Sequence, residues 1–425
     1  MLMGWIGLLF LFLVLIGTPV FFSFGFSAVV ACLGGGLPVE VVAQRLMIGL
    51  DSFALLAIPG FVLAGEIMCQ GGISMRLVEL SNALVGHLRG GLSMVAVLTG
   101  MIMGGISGSA VADTAAVASV LVPEMEKEKY PKDFSAAVVG TAGPLGNIIP
   151  PSIPMVVYSM ISGLSLVKLF LAGYIPGVMI GVSLMIFCYV MARKNNYGGV
   201  GHGFSFVRLV KAFRRSILAV MTPIVIVGGI LSGVFTPTES AMVGVVYSLI
   251  VAVLVYKELP ARNIAGIFLR SAKTSAKLVI VIGIASVFSY ISIAQGLPQL
   301  FQELIGGYSE NKFVFLVILN AFLLILGCLI DILVATVVLV PVLIPVAEIV
   351  GINQLHLAVI FIVNMSIGLL TPPVGYSLYV SASVANVPVE AVARKSVPVV
   401  CTMTVVLALI SAIPEISLWI PGLAE

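Results

Sequence analysis

Apolar residues run along this chain in long blocks, at about 3–17, 20–36, 50–68, 90–122, 134–162 and 168–192, then again at about 217–234, 238–256, 278–293, 313–346, 355–383 and 396–420. A helix needs about 20 apolar residues to cross a hydrocarbon core of about 30 Å, so most blocks predict spanning helices. Two are too long for one straight span and are interrupted near the middle: 90–122 by glycines, serines and Asp113, and 313–346 by Gly327 and Asp331. Their arms, about 14 residues or about 21 Å at 1.5 Å per residue, reach into a bilayer without crossing it. These two blocks predict hairpins.

The two sets of blocks share their punctuation. Thr18-Pro19 corresponds to Thr236-Pro237, Asp113 to Asp331 and Val122-Pro123 to Val340-Pro341, each at an offset of 218. Leu37-Pro38 corresponds to Leu259-Pro260 and Pro150-Pro151 to Pro372-Pro373, each at 222. Such coincidences in one order predict an internal repeat, 1–192 against 217–425, joined by a basic cytoplasmic linker at 193–216.

Charge sets the sense of the repeat. Arg193, Lys194, Arg208, Lys211, Arg214 and Arg215 join the halves without an intervening acid, and Lys257, Arg262, Arg270, Lys273 and Lys277 cluster further on. The bias of Lys and Arg toward the cytoplasm puts both stretches inside. The counterpart of the second stretch, 37–49, carries only Glu40 and Arg45 and suits the outside. Equivalent loops on opposite faces make the repeat inverted, which requires one element of each half to enter and leave on the same face. The expected fold is an all-α polytopic membrane protein with about ten transmembrane helices, two re-entrant hairpins and both termini outside. It places 18 of the 21 basic residues inside, leaves Arg45, Lys168 and Lys312 outside, and sets Trp5 and Trp419 near the outer interface.

Composition agrees. The chain is 60% hydrophobic and 9% charged, with a mean hydropathy of +1.22, whereas soluble domains carry roughly 25% charged residues. The N-terminal block lacks a basic lead and a small-residue cleavage site, so it reads as a first span rather than a removed leader. The cysteines, Cys32, Cys69, Cys188, Cys328 and Cys401, have no metal-binding spacing and read as small buried hydrophobes.

Four breaks then carry the chemistry: the tips 104–113 and 327–331, and the interruptions at 143–152 and 367–375 within the blocks 134–162 and 355–383. Proline kinks and glycine packing produce single breaks, but four that obey the repeat point to a built site. Backbone that leaves a helix in a membrane survives only where it is buried in protein or lines a wet cavity. Unwound carbonyls and helix C-termini hold Na⁺, and free N–H groups at helix N-termini hold a carboxylate. The candidate Na⁺ ligands are Gly104, Gly105, Ser107, Gly108, Ser109 and Asn147 in the first half, and Gly327, Asp331, Gly368 and Thr371 in the second. Asp113, Pro150, Pro151, Pro372 and Pro373 are candidates for substrate contact or coupling. Among membrane carboxylates, Asp113 and Asp331 are the functional candidates, while Glu66 and Glu239 lie near block ends; Tyr158, Tyr376 and Ser377 are further candidates for the cavity wall. No Lys or Arg is expected at mid-membrane, so an anion would depend on helix ends, amides and bound cations.

The blocks GGISGSAVADTAAVASVLVPEM, GTAGPLGNIIPPSIPMVVY and LTPPVG resemble the large membrane subunit of the tripartite ATP-independent periplasmic (TRAP) transporters, the DctM-like family, and the likeness extends over essentially the whole chain. That resemblance implies a Na⁺-driven importer of organic acids in a bacterial inner membrane. It also implies an ion-transporter-superfamily fold working as an elevator, a separate small four-helix membrane subunit and a periplasmic substrate-binding protein. Family substrates include C4-dicarboxylates, sialic acid and other sugar acids, and the overall likeness leans to the sialic acid branch. The rival readings are a channel, an intramembrane enzyme, and a proton-coupled organic anion transporter or antiporter that needs no binding protein. The enzyme reading lacks a nucleophile–base pair, since His87, His202 and His356 all fall in or at loops. Nucleic acid is not an expected partner; membrane lipid is.

Overall fold

The computed structural model describes residues 9, 10, 12, 13, 16–198, 203–296 and 311–423. Trp5, His202 and most of the block 3–17 lie outside the described residues. Among the described residues the chain is helical, with no strand, so backbone donors and acceptors are satisfied within each segment as a bilayer requires.

The first half contains α1 (Val20–Gly34), α2 (Glu40–Leu50), α3 (Ala57–Gln70) and α4 (Ile73–Val85). Next come α5 (Gly91–Ser107), α6 (Ala110–Lys127), α7 (Lys132–Val139), α8 (Ala142–Ile148), α9 (Ile153–Ser162) and α10 (Leu166–Asn195). The second half contains α11 (Phe206–Leu231), α12 (Pro237–Leu249), α13 (Ala261–Ala294), α14 (Lys312–Gly327) and α15 (Ile332–Val350). It ends with α16 (Gln354–Gly368), α17 (Tyr376–Ala385), α18 (Val389–Ala412) and α19 (Glu415–Leu423).

Seven of the described helices or helical runs are long and apolar enough to cross a membrane, or up to eight if α3 and α4, bent by 69°, form one span. Of the ten expected spans, the first lies mostly outside the described residues, and the blocks 20–36 and 355–383 contain the short apolar helices α1 and α16. Three expected loops are helical instead. The stretch 37–49 is largely α2, 257–277 is mostly the start of α13, and the basic residues 208–215 lie on the first turns of α11. Short or amphipathic helices carry no long apolar run, and an amphipathic one buries a single stripe. On α4 that stripe is Ile73, Leu77, Val78, Leu80 and Ser81.

Local chemistry fixes several starts. Thr236 and Glu239 form a reciprocal capping box with Pro237 in the first turn of α12, satisfying donors that a helix N-terminus leaves free. Glu239 is thereby accounted for, and Glu66 pairs with Arg270 at 2.9 Å. Large exposed apolar side chains, among them Phe22, Met47, Ile186, Val207 and Leu254, belong on a lipid-facing surface rather than a wet one. Cys401 is exposed, against the expectation that every cysteine is buried, and all five are free thiols.

Both long blocks are hairpins. α5 and α6 fold back against each other; Gly90, before α5, sits on Ala192 and Cys188, and Tyr130, after α6, sits on Tyr197 and Gly198. Both ends of the first hairpin therefore meet the same end of α10. In the second, Lys312 Nζ donates to Gly351 O at 3.1 Å and ties the start of α14 to the end of α15. The helix α18 separates the two bases. Lys395 near its start approaches Asp133 at 4.0 Å, while the Ser411 carbonyl near its end faces His356 Nε2 at 3.4 Å. Sixteen residues at 1.5 Å each put about 24 Å between them.

The halves also exchange elements. α9 packs on α15, the second arm of the other half's hairpin, and α17 packs on α6 in the same way. Around them α1, α2 and α3 pack on α13, α3 packs on α12, and α4 packs on α11.

Candidate functional site

Each hairpin tip is seated on the break that follows it, and glycine makes the approach possible. Gly108 has φ +58°, and a Cβ there would lie 2.9 Å from Pro151 O. Four residues earlier, a Cβ on Gly104 would lie 2.6 Å from the Gly146 Cα. In the other half, a Cβ on Gly368 would lie 2.5 Å from the Cα of Gly327, and the Val374 N–H donates to Cys328 O at 3.2 Å. Cα-to-Cα packing of this kind is what small residues permit in membrane helices.

Side chains close the broken backbone. Ser107 Oγ donates to Asp113 Oδ1 at 2.5 Å and accepts the Ser109 N–H at 3.1 Å, clamping the first tip. Ser152 Oγ donates to Asn147 O at 2.5 Å across the first break. Thr371 Oγ1 donates to Ile367 O at 3.1 Å at the second. Both breaks carry a cis Pro-Pro bond, Pro150-Pro151 and Pro372-Pro373. The first pair is buried and the second exposed.

A cavity of about 930 Å³ lies between the tips. It is lined by Gly108 and Ser109 of the first tip, Asn147 of the first break, Asp331 of the second tip, and Tyr376 after the second break. The first residues of four helices, Ala110 of α6, Ile153 of α9, Ile332 of α15 and Tyr376 of α17, all lie on its wall. Such ends carry a partial positive charge of roughly half a unit; Ser152 caps α9 and Asp331 caps α15, while α6 and α17 have no side-chain cap, so the wall draws positive potential from backbone rather than from many cations. Asp331 spends Oδ1 on the Leu333 N–H at 2.8 Å, capping α15.

Asp113 does not line the cavity. It is 0% exposed behind the first tip, and its Oδ2 has no hydrogen-bond partner among the described residues. Thr114 Oγ1 and Ser377 Oγ are also buried and unpartnered, and both lie within 2.7 Å of where a Cβ on Gly143 would sit. Three unspent oxygens from two halves of the chain thus gather around α8. An isolated carboxylate in such a place is costly unless a cation or proton joins it.

The expected residues therefore divide. Gly108, Ser109, Asn147 and Asp331 share one cavity; Gly104, Gly105, Ser107, Asp113, Pro150 and Pro151 lie behind it or beside it; Gly327 and Gly368 meet as backbone; Thr371, Pro372 and Pro373 fall outside its lining. Of the aromatic and hydroxyl candidates, Tyr376 lines the cavity, whereas Tyr158 is packed against Phe361 at 5.7 Å and Ser377 is buried against α8. The expectation that no lysine reaches the site is corrected: Lys277 of α13 lines it, together with Thr274. Placing the stretch 257–277 in a loop hid them, although Arg270, Lys273 or Thr274, and Lys277 follow helical spacing.

The sequence pattern described as tripartite ATP-independent periplasmic transporter, DctM component, matches residues 6–416. The chain belongs to the DctM family. Its members are transporter permeases, not enzymes, and this chain is a multi-pass membrane protein. It is 36% identical to the sialic acid TRAP transporter large permease protein SiaM of Vibrio cholerae, over 99% of this chain and 97% of that one. It is 37% identical to the C4-dicarboxylate TRAP transporter large permease protein DctM of Pseudomonas aeruginosa, over 90% of each chain. Near-equal identity to relatives named for different acids leaves the substrate to the site itself. The crystal structure of the YdaH transporter of Alcanivorax borkumensis is similar in fold, with a TM-score of 0.63, 12% identity and coverage of 90% of this chain and 88% of that one.

Proposed function

We propose that this protein is the large membrane subunit of a Na⁺-coupled importer of an organic acid in a bacterial inner membrane. A periplasmic binding protein delivers the acid, and a small four-helix membrane subunit completes the assembly. The observation that carries the reading is the convergence of four helix N-termini on one cavity between two opposed hairpin tips. Such ends hold a carboxylate without a fixed cation for each charge, and the turns behind them offer oxygens to Na⁺. The carried ions are assigned to two places: the first tip and break, at Gly108, Ser109 and Asn147, and the second, at Asp331 and the Gly327–Gly368 contact. Bound Na⁺ adds positive charge beside the cavity, so the carboxylate binds after it and both travel together.

The inverted arrangement of 1–192 and 217–425 is part of this reading. It is supported by hairpin bases at opposite ends of α18 and by the exchanged packing of α9 on α15 and α17 on α6. In the elevator form of the mechanism, the hairpins and broken helices move as one body against the frame of α1–α4 and α11–α13. The alternative, proton coupling, is favoured by a single observation, the unpartnered Oδ2 of buried Asp113.

Uptake into proteoliposomes that hold both membrane subunits, with the binding protein outside, separates these. Replacing Na⁺ with choline abolishes uptake of the acid under the proposed reading. Uptake that survives in choline and follows an imposed pH gradient overturns it in favour of proton coupling.

A further inference from the structure

The cavity has one wall that the hairpins do not supply. Thr274, Ala276, Lys277, Leu278, Ile280 and Val281 of α13 form it, bordering the same space as Ser109, Asn147 and Asp331. Lys277 is exposed, and no carboxylate among the described residues lies within the 4.0 Å of an ion pair with it. Arg270, two turns earlier on the same helix, is paired with Glu66. The ammonium of Lys277 is thus a cation at the cavity edge with no ion-pair partner among the described residues. On the same cavity, Asn147 is 3% exposed, and its side chain makes no hydrogen bond to another described residue. An amide held in this way is placed for a ligand, since buried polar groups otherwise find partners.

We infer that Lys277, with Thr274 beside it, receives the carboxylate of the substrate, and that the cavity is built for acids with one carboxylate and several hydroxyl or amide groups rather than for dicarboxylates. The inference rests on the proposed transport function and names its substrate class. One ammonium faces the space, and the one carboxylate lining it, Asp331, lies on another wall. Much of the remaining lining is apolar: Phe21, Val62, Leu278, Ile280 and Val281. A second substrate carboxylate would find a helix end but would give the amide oxygen of Asn147, 3% exposed, no donor, and a buried acceptor left unpaired is costly. Hydroxyl and amide groups of a polyol acid, by contrast, find Ser109, Asn147 and Tyr376. A volume of about 930 Å³ lies at the upper end of the range for small-molecule sites, as a bulky sugar acid requires. Because Lys277 stands on α13 and the other polar groups stand on the hairpins and breaks, the same contact joins the substrate to the frame and to the hairpins at once.

The test is uptake by the complete three-part system with N-acetylneuraminate, gluconate and succinate as probes. Wild type is expected to take up a monocarboxylate in preference to succinate. Lys277→Met is expected to raise KM for that acid at least tenfold while leaving the Na⁺ dependence unchanged, and Lys277→Arg to keep KM within threefold of wild type. A KM within twofold of wild type in Lys277→Met overturns the role of Lys277, and preferred uptake of succinate overturns the substrate class. Wild-type uptake that ignores Na⁺ removal overturns the proposed coupling instead, with the KM comparison still readable. If Lys277→Met loses Na⁺-dependent thermal stabilisation along with uptake while Lys277→Arg keeps both, the residue binds the acid only through the fold, which also counts against the inference.

Discussion

Gly368→Ala isolates the seating of a hairpin tip on its break. The new methyl would lie 2.3 Å from the carbonyl carbon of Gly327 and 2.5 Å from its Cα, inside the 3.4 Å at which ordinary contact begins. The obstruction is backbone, which has no rotamer to escape into, so the tip must retreat by about 1 Å. Overpacking of this kind costs roughly 1–3 kcal/mol, and the upper part of that range applies where main chain meets main chain. A displacement near 1 Å in a positioned site lowers rates by as much as about a hundredfold. The expected result is a fall of at least tenfold in Na⁺-dependent uptake per folded molecule, with a lowered unfolding temperature in detergent. Gly228→Ala is the control, since its added Cβ meets nothing within 4 Å, and it transports as wild type. Wild-type uptake by Gly368→Ala would refute the idea that tip-to-break contact shapes the site.

Two further outcomes concern the buried carboxylate and a helix start. Asp113→Asn keeps an oxygen for the Ser107 hydroxyl but removes the charge behind the first tip; a Na⁺ titration of uptake should show at least a fivefold loss of apparent Na⁺ affinity, and an unshifted titration would exclude Asp113 from ion coupling. Thr236→Ala removes the capping box of α12 and should lower stability by about 1 kcal/mol, read by thermal unfolding, with uptake per folded molecule preserved.

The broken blocks were the most legible part of the chain. Gly108, Asp113 and the paired prolines mark their positions directly, because helix breakers and a carboxylate within apolar sequence have few other uses. The hairpin limits shifted by only a few residues, from 90–122 to Gly91–Lys127 and from 313–346 to Lys312–Val350. The frame was harder. α2 and α4 are short and amphipathic, and the basic first half of α13 looks like a loop when charge is counted without period. That misreading concealed Lys277. The symmetry of Asp113 and Asp331 in the sequence also suggested equal roles, yet one is buried beside Ser107 and Gly146 while the other caps α15 at the cavity wall. A matched position in a repeat fixes where a residue sits along the chain; its chemistry is decided by its immediate neighbours, Ser107 and Gly146 for Asp113 and the Leu333 N–H for Asp331.

The opposed hairpins are tested most directly by labelling single cysteines at their bases with a membrane-impermeant maleimide in right-side-out and inverted vesicles. The pair to use is Lys127→Cys at the end of α6 and Ile349→Cys near the end of α15, in a background with the five native cysteines replaced by serine. The account predicts reaction of Lys127→Cys in inverted vesicles only and of Ile349→Cys in right-side-out vesicles only; labelling of both from one face would contradict it.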